Sequence, residues 1–302
     1  MVVRIGANPI GWSNDDLREL GAATPLTTCL AEAKAAGFEG MELGHKFPRE
    51  SNALAEVLER YGLALVSGWY SASLLRRTPE EELRHLRPHL DLLKAFGCTV
   101  LVFAETSNAI HADRSKPLSA RPVLPNDHWV EFGRRLTEVA DRTFSEGVRL
   151  VYHHHMGTIV ENENDIDALM AATGPSVHLL LDTGHASFAG ADVAGLARRY
   201  RARISHVHTK DVRGAVLARA RRERLSFLDA VIAGAFTVPG DGSVDFPAVL
   251  RELPGYSGWV VVEAEQDPAK AHPATYAKMG YRNLRGYLAE AELLRDAHRP
   301  RA

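Results

Sequence analysis

The amino-acid sequence predicts an α/β fold, a single (β/α)8 TIM barrel spanning residues 1–302. Eight short runs rich in Val, Leu and Ile are almost continuously apolar, as strands buried on both faces of a parallel sheet must be. Helix-patterned segments separate them, and a glycine stands just past several of these, where a left-handed cap turns the chain toward the next strand. An open doubly wound sheet would call for a glycine-rich phosphate turn after the first strand, and Asn8-Pro9-Ile10-Gly11-Trp12 is not one.

Val3–Asn8 is the first expected strand. Leu26–Ala36, closed by Gly37, is the helix leading to the second, Phe38–Gly44. Ser51–Tyr61 with Gly62 precedes Leu63–Trp69, and Pro79–Phe96 with Gly97 precedes Thr99–Glu105. Asp127–Glu146 with Gly147 leads into Val148–His154; the remaining strands are Val177–Asp182, Ile204–Lys210 and Gly258–Glu263. Segments 106–126 and 212–244 read as long loops on the face where barrel enzymes build their sites. A last helix over about Thr275–Arg295 leaves a polar, frayed tail, His298–Ala302.

Composition narrows the function. Lys and Arg total 36 against 38 Asp and Glu, a net charge of -2, which argues against nucleic acid as the main partner. No apolar stretch approaches the ~18 residues of a membrane span, and the N-terminus lacks a basic segment leading into an apolar run, so a cytoplasmic protein is expected. Cys29 and Cys98 sit among apolar neighbours and suit reduced thiols. The unusual count is histidine, at 14.

The expected strand ends are unusually polar: Asn8; Glu42 with His45; Trp69; Glu105; His153-His154-His155; Asp182 with His185; His206, His208, Lys210 and Asp211; Glu263 and Glu265. Barrel closure brings such ends to one axis. Residues two apart on a strand share a face, which groups His206 with His208, Glu263 with Glu265 and His153 with His155, and turns His154 the other way. Imidazoles and carboxylates without thiolates suit Mn, Co, Zn or Mg. Asp182, His208 and Glu263 are the expected ligands, with His153 as the fourth. Trp12 and Trp69 are equally open to being an apolar wall for a sugar or cyclitol or core aromatics. Lys210 and Asp211 read as an acid/base and its orienting partner, or as an ion pair. The glycines of Phe236–Ser243 either admit a substrate or make a turn, and the basic run Arg219–Arg224 reads as a solvated helix face.

Asp182-Thr183-Gly184-His185, His206-Val207-His208 and Val260-Val261-Val262-Glu263 together resemble the xylose isomerase-like superfamily of metal-dependent barrels. Segments from Pro9–Asp16 through Leu150–Thr158, Leu225–Ala230 and Phe236–Asp245 to Val262–Pro268 narrow the resemblance to the inosose dehydratase family of inositol catabolism. The triple histidine and Glu-Ala-Glu-Gln-Asp-Pro are its most specific parts. That resemblance implies dehydration of 2-keto-myo-inositol to a trihydroxycyclohexane dione, with Mn or Co as the metal, by α-proton abstraction, a metal-stabilised enediolate and loss of the β-hydroxyl. It carries the superfamily's metal Asp, His and last Glu onto Asp182, His208 and Glu263. His153 stands where the epimerases have a glutamate, so either His153 ligates, or three protein groups do, with His155 or water completing the shell. Glu263 or Glu265 is expected near the abstracted proton, and His185, His155 or Lys210 near the leaving oxygen. Asn8, Trp12, Glu42, Trp69, Glu105 and His206 are the expected substrate contacts. The alternative reading is a sugar or cyclitol isomerase or epimerase on the same metal site, with an abasic-site endonuclease disfavoured by the net charge of -2; the partner is a small cyclitol or sugar, with neither nucleic acid nor membrane, and a homo-oligomer is compatible with the reading.

Overall fold

A strand apolar on both sides needs cover on both sides, and the chain meets that demand by closing its sheet on itself and wrapping it in helices. The computed structural model describes residues 2–294; the expected tail His298–Ala302 lies outside them. The strands are β1 (Val3–Ala7), β2 (Gly40–Leu43), β3 (Ala64–Ala72), β4 (Val100–Glu105), β5 (Arg149–His153), β6 (His178–Asp182), β7 (Ile204–Thr209), β8 (Asp211–Val212), β9 (Phe236–Thr237) and β10 (Gly258–Val262). Eight of them form a closed parallel barrel in the order β1-β10-β7-β6-β5-β4-β3-β2, while β8 and β9 pair as a small antiparallel ribbon.

The helices are α1 (Leu26–Ala36), α2 (Ser51–Tyr61), α3 (Pro79–Ala95), α4 (Trp129–Ser145), α5 (Glu163–Ala172), α6 (Thr183–Ala189), α7 (Val193–Tyr200), α8 (Gly214–Glu223), α9 (Phe227–Ile232), α10 (Phe246–Arg251) and α11 (Pro273–Glu290). Gly37, Gly62, Gly97 and Gly147 all adopt positive φ, as expected of glycines that reverse the chain after a helix. The basic run ends α8 on the surface.

Several boundaries differ from expectation. Strand β3 runs on to Ala72, because its last residues pair with Val102–Glu105 of β4. α4 opens at Trp129, after a 3-10 turn over Asn126–His128. α11 begins at Pro273, whose missing N–H costs nothing at a first turn, and ends at Glu290, before the expected Arg295. Segment 212–244 is no open loop: it carries β8, α8, α9 and β9. Phe227, Val231, Phe236 and Val212 pack there with Leu17, Met156 and Phe188 into a second core across the mouth. Among the described residues no helix is long and apolar enough to cross a membrane.

At the opposite end Trp259 lies across two glycines, Gly6 and Gly40. A Cβ on Gly40 would stand 2.8 Å from the Trp259 ring, the Ala64 carbonyl and the Val66 side chain. Gly40→Ala should therefore destabilise the fold by about 1–3 kcal/mol, read as a lower urea midpoint at unchanged slope.

Candidate active site

The strand ends deliver their polar residues to one buried cluster. Asp182 closes β6 and caps α6, accepting from His185 N–H at 2.8 Å. Its other oxygen, Oδ2, has no hydrogen-bond partner and faces His153 Nε2, His208 Nδ1 and Lys210 Nζ, each at 3.6 Å. Glu263, just past β10, meets His208 Nδ1 through Oε2 and Lys210 Nζ through Oε1, the latter at 2.8 Å. One ligand atom from each of His153, Asp182, His208 and Glu263 lies within 4.8 Å of the others, and all four residues are buried.

This geometry asks for a cation. His208 Nε2 and His206 Nε2 both donate to Glu42 Oε1, at 3.1 and 2.8 Å. A neutral His208 thus has its proton on Nε2 and turns the Nδ1 lone pair toward two carboxylates, which only a proton or a metal ion can reconcile. Burial resists charge on His208, but Glu263 and Glu42 overcome it and hold its pKa well above the ordinary range. Burial likewise opposes charge on Asp182, yet Lys210 and His185 keep its carboxyl well below the usual range. The donor set and the orphaned oxygen fit a divalent ion.

Beside it stands a second group, His155, His185 and Glu265. Lys210 joins the two: its fully buried ammonium donates to Glu265 Oε1 at 2.5 Å and His185 Nε2 at 2.9 Å and lies 2.8 Å from Glu263 Oε1 as an ion pair. Burial favours the neutral amine, but Asp182, Glu263 and Glu265 outweigh it and raise the Lys210 pKa. His185 lies 3.2 Å from Glu265 Oε1, and its ring centroid is 3.8 Å from that of His155. Both imidazoles are held well below their usual pKa, chiefly by burial; next come Lys210 for His185, and His185 itself for His155. Trp69 meets His153 and His155 edge-on at 5.1 and 5.6 Å, and Phe227 and Phe236 cover His185.

Other expected residues take different places. Asn8 donates to Glu42 Oε2 at 2.7 Å and reaches Glu263 at 3.5 Å, so it bridges the cluster. Glu42 and His206, expected to touch substrate, lie beneath the cluster and orient His208. Glu105 is corrected: its oxygens accept from the backbone N–H groups of Leu74, Leu75 and Ser107, so it braces loops instead of facing the mouth. Trp12 is corrected too, being buried in the main core with its N–H on Glu32 at 2.7 Å. Asp211 does not orient Lys210: it turns away to accept from Val212, Gly240, Gly242 and Val244 N–H groups, which makes the glycine segment a turn around a carboxylate. His154 faces away and accepts from Asp182 N–H.

Two neighbours were not anticipated. Asp16, from the loop after β1, and His111, from segment 106–126, approach to 3.7 Å, and His111 packs on His155 with centroids 5.0 Å apart. Burial, then Glu265 and Asp15, lift the Asp16 pKa to about 7, although its side chain stays about a quarter exposed. The sequence signals for Asp16 are its place in the polar run Ser13–Asp16 and in the Pro9–Asp16 segment of the resemblance.

A closed parallel barrel with a nitrogen and oxygen ligand cluster at its strand ends defines a class, and the chain matches the xylose isomerase-like TIM barrel family over residues 30–295. It is 52% identical over 293 residues to the rhizopine catabolism protein MocC of Rhizobium meliloti, covering 96% of this chain and 90% of that one. It is 44% identical over 279 residues to the inosose dehydratase of Geobacillus thermodenitrificans strain NG80-2, covering 91% and 94%. Among solved structures, the IOLI protein with a binding zinc atom shares the fold with a TM-score of 0.64 at 15% identity, covering 97% and 99%. The chain belongs to the inosose dehydratase family and is an enzyme of the dehydratase, or hydro-lyase, class.

Removing the Lys210 charge should leave Asp182, Glu263 and Glu265 uncompensated. Lys210→Met is expected to lose about 3–5 kcal/mol of stability at pH 7 in chelator-treated protein, measured by urea unfolding; a loss within error of zero would contradict the charge balance described.

Proposed function

We propose that the enzyme removes water from 2-keto-myo-inositol to give a trihydroxycyclohexane-1,2-dione, using a divalent ion, Mn or Co, held by His153, Asp182, His208 and Glu263. The observation that carries this reading is the pairing of a ligand cluster with an adjacent Glu265–His185–Lys210 group able to move a proton. Family membership supports the substrate class.

The proton α to a ketone is too weakly acidic to leave unaided, and a divalent ion at these four residues would supply Lewis-acid polarisation of the carbonyl oxygen. Glu265 takes the α-proton. Lys210 provides a fixed counter-charge beside the carboxylate, and Trp69 flanks the ring of the cyclitol. His185 Nε2, 3.2 Å from Glu265, receives that proton and passes it to the departing β-hydroxyl. One C–H and one C–O bond break, one C=C bond forms, and the proton removed leaves within the water molecule. Because the α-carbon keeps its own hydroxyl, the product is an enol, whose tautomer is the dione. With a histidine at the fifth strand, Glu263 and Glu265 both follow the end of β10, which suits elimination better than an exchange of protons between opposite faces of a carbon.

Turnover should appear as an ultraviolet-absorbing dione, disappear on EDTA treatment and return with Mn or Co; absence of activity with every divalent ion would end the dehydratase reading. His185→Ala should lower kcat by roughly 10²–10⁴-fold while α-proton exchange into solvent persists, since the base is retained. Unchanged turnover and exchange would remove His185 from the mechanism.

A further inference from the structure

At the far end of the barrel, where the strands begin, an open cavity of about 810 Å³ lies between the starts of β4 to β7 and the turn leading into β10. Its polar lining includes Arg149, Arg201, His178, Ser205 and His206, and no Asp or Glu among the described residues lines it. That is unexpected in a chain whose net charge is -2.

Arg149 is the informative residue. Its guanidinium lies 5.0 Å over the half-exposed ring of Phe144, and its Nη1 reaches only Ser205 Oγ, at a long 3.4 Å. Its Nε is buried without a partner. Arg87, Arg199 and Arg213 each meet a carboxylate, whereas none among the described residues meets Arg149. Ser205 Oγ continues the polar surface to His178 Nδ1, 2.8 Å away, and His206, fully buried in the same lining, has an unpartnered Nδ1. Burial first, and then Arg149 and Arg203, push His178 down to about 4. Tyr256 and Trp259 add flat apolar surface to the wall.

We propose that this cavity binds a small phosphate-bearing anion, with the Arg149 guanidinium, Ser205 hydroxyl and His178 imidazole facing the phosphate oxygens, Arg201 at the rim, and the aromatic wall taking the ligand's organic part. A guanidinium fork matches phosphate oxygens in geometry and charge, and a lining with donors in excess and no carboxylate favours a dianion over a neutral sugar. Arg149, Ser205, His178 and Arg201 are no part of the cluster at the other end, which only His206 meets, through Nε2 on Glu42, so the inference stands independently of the proposed reaction.

The test is calorimetric titration of the metal-loaded enzyme with inorganic phosphate at constant ionic strength, against acetate as a second arm and glycerol as a neutral control. Saturable phosphate binding is expected, with acetate weaker and glycerol silent. Arg149→Gln should weaken phosphate roughly ten-fold or more, as loss of a charged hydrogen-bond donor implies, with dehydration turnover unchanged. Arg201→Gln, at an exposed position, is the second variant should the first fold poorly, and should weaken phosphate by a smaller factor. Absence of saturable binding, equal affinity for acetate, or binding indifferent to both substitutions would each overturn the proposal, the last by placing phosphate elsewhere on the molecule.

Discussion

The buried ammonium of Lys210 is the interaction on which the rest of the mouth depends. Asp182, Glu263 and Glu265 are brought together inside a protein, where unpaired carboxylates are costly to hold ionised, and a single cation touches or faces all three. Hydrogen bonds to Glu265 and His185 and the ion pair with Glu263 hold the ammonium in place. The Asp182-Thr183-Gly184-His185 segment then has a physical explanation beyond its pattern. Asp182 caps α6 and presents its free oxygen, Thr183 bonds the Lys210 carbonyl, and His185 accepts from the ammonium. Gly184 leaves the space through which the lysine stem passes, since a Cβ there would stand 2.5 Å from Lys210 Cγ.

Charge balance also frames the proposed metal. With the imidazoles neutral, Glu42, Asp182, Glu263 and Glu265 bring four negative charges to a site with one fixed ammonium. A divalent ion would leave a single negative charge, whereas its absence must be met by protons, which is the sense in which His208 is pushed up. Glu42 is the hinge of this arrangement, because one oxygen accepts from both His206 and His208 and the other from Asn8. It fixes the ring of His208 so that Nδ1 faces the cluster, the role an outer carboxylate plays behind a metal-bound histidine.

How much of this was legible in the sequence follows from which forces set each part. The barrel strands could be read because burial on both faces writes a continuous apolar run, and α1 and α2 could be bounded to the residue because Gly37 and Gly62 end them in left-handed conformations. The positions of His153, Asp182, His208 and Glu263 followed from strand ends and two-residue periodicity. Periodicity stops at the strand terminus, however, and gave no means of seeing that Glu105 folds back onto backbone N–H groups or that Trp12 turns into the core. Asp16 and His111 lie on segments without a period, placed by contacts with distant chain. Segment 212–244 looked like a loop because its helices are short and its apolar residues answer to Leu17, Met156 and Phe188 across the mouth, not to a repeat of their own.

That covering segment bears directly on the chemistry. Arg114 on one side binds Asp229 on the other at 2.7 Å, Leu118 N–H donates to the Leu225 carbonyl at 3.1 Å, and Ile110 N–H donates to Gly157 at 2.9 Å. Segments 106–126 and 212–244 are thus fastened to each other, and the first of them to the turn after β5. Beneath them, Asp182, His185 and Lys210 have no solvent exposure. Electrostatic interactions in such an enclosure are stronger than at a wetted surface, which is what a carboxylate needs to remove a weakly acidic carbon-bound proton. The same enclosure leaves Glu265 and His185 buried beneath the two fastened segments. Segment 106–126 is held further by Arg121, whose Nη1 lies 2.9 Å from Asp165 Oδ2, and segment 212–244 by the second apolar core, so the Arg114–Asp229 pair, of a kind worth little in water, is the weakest of these ties. The chamber is built on deep packing and buried charge, beneath a cover that is itself packed.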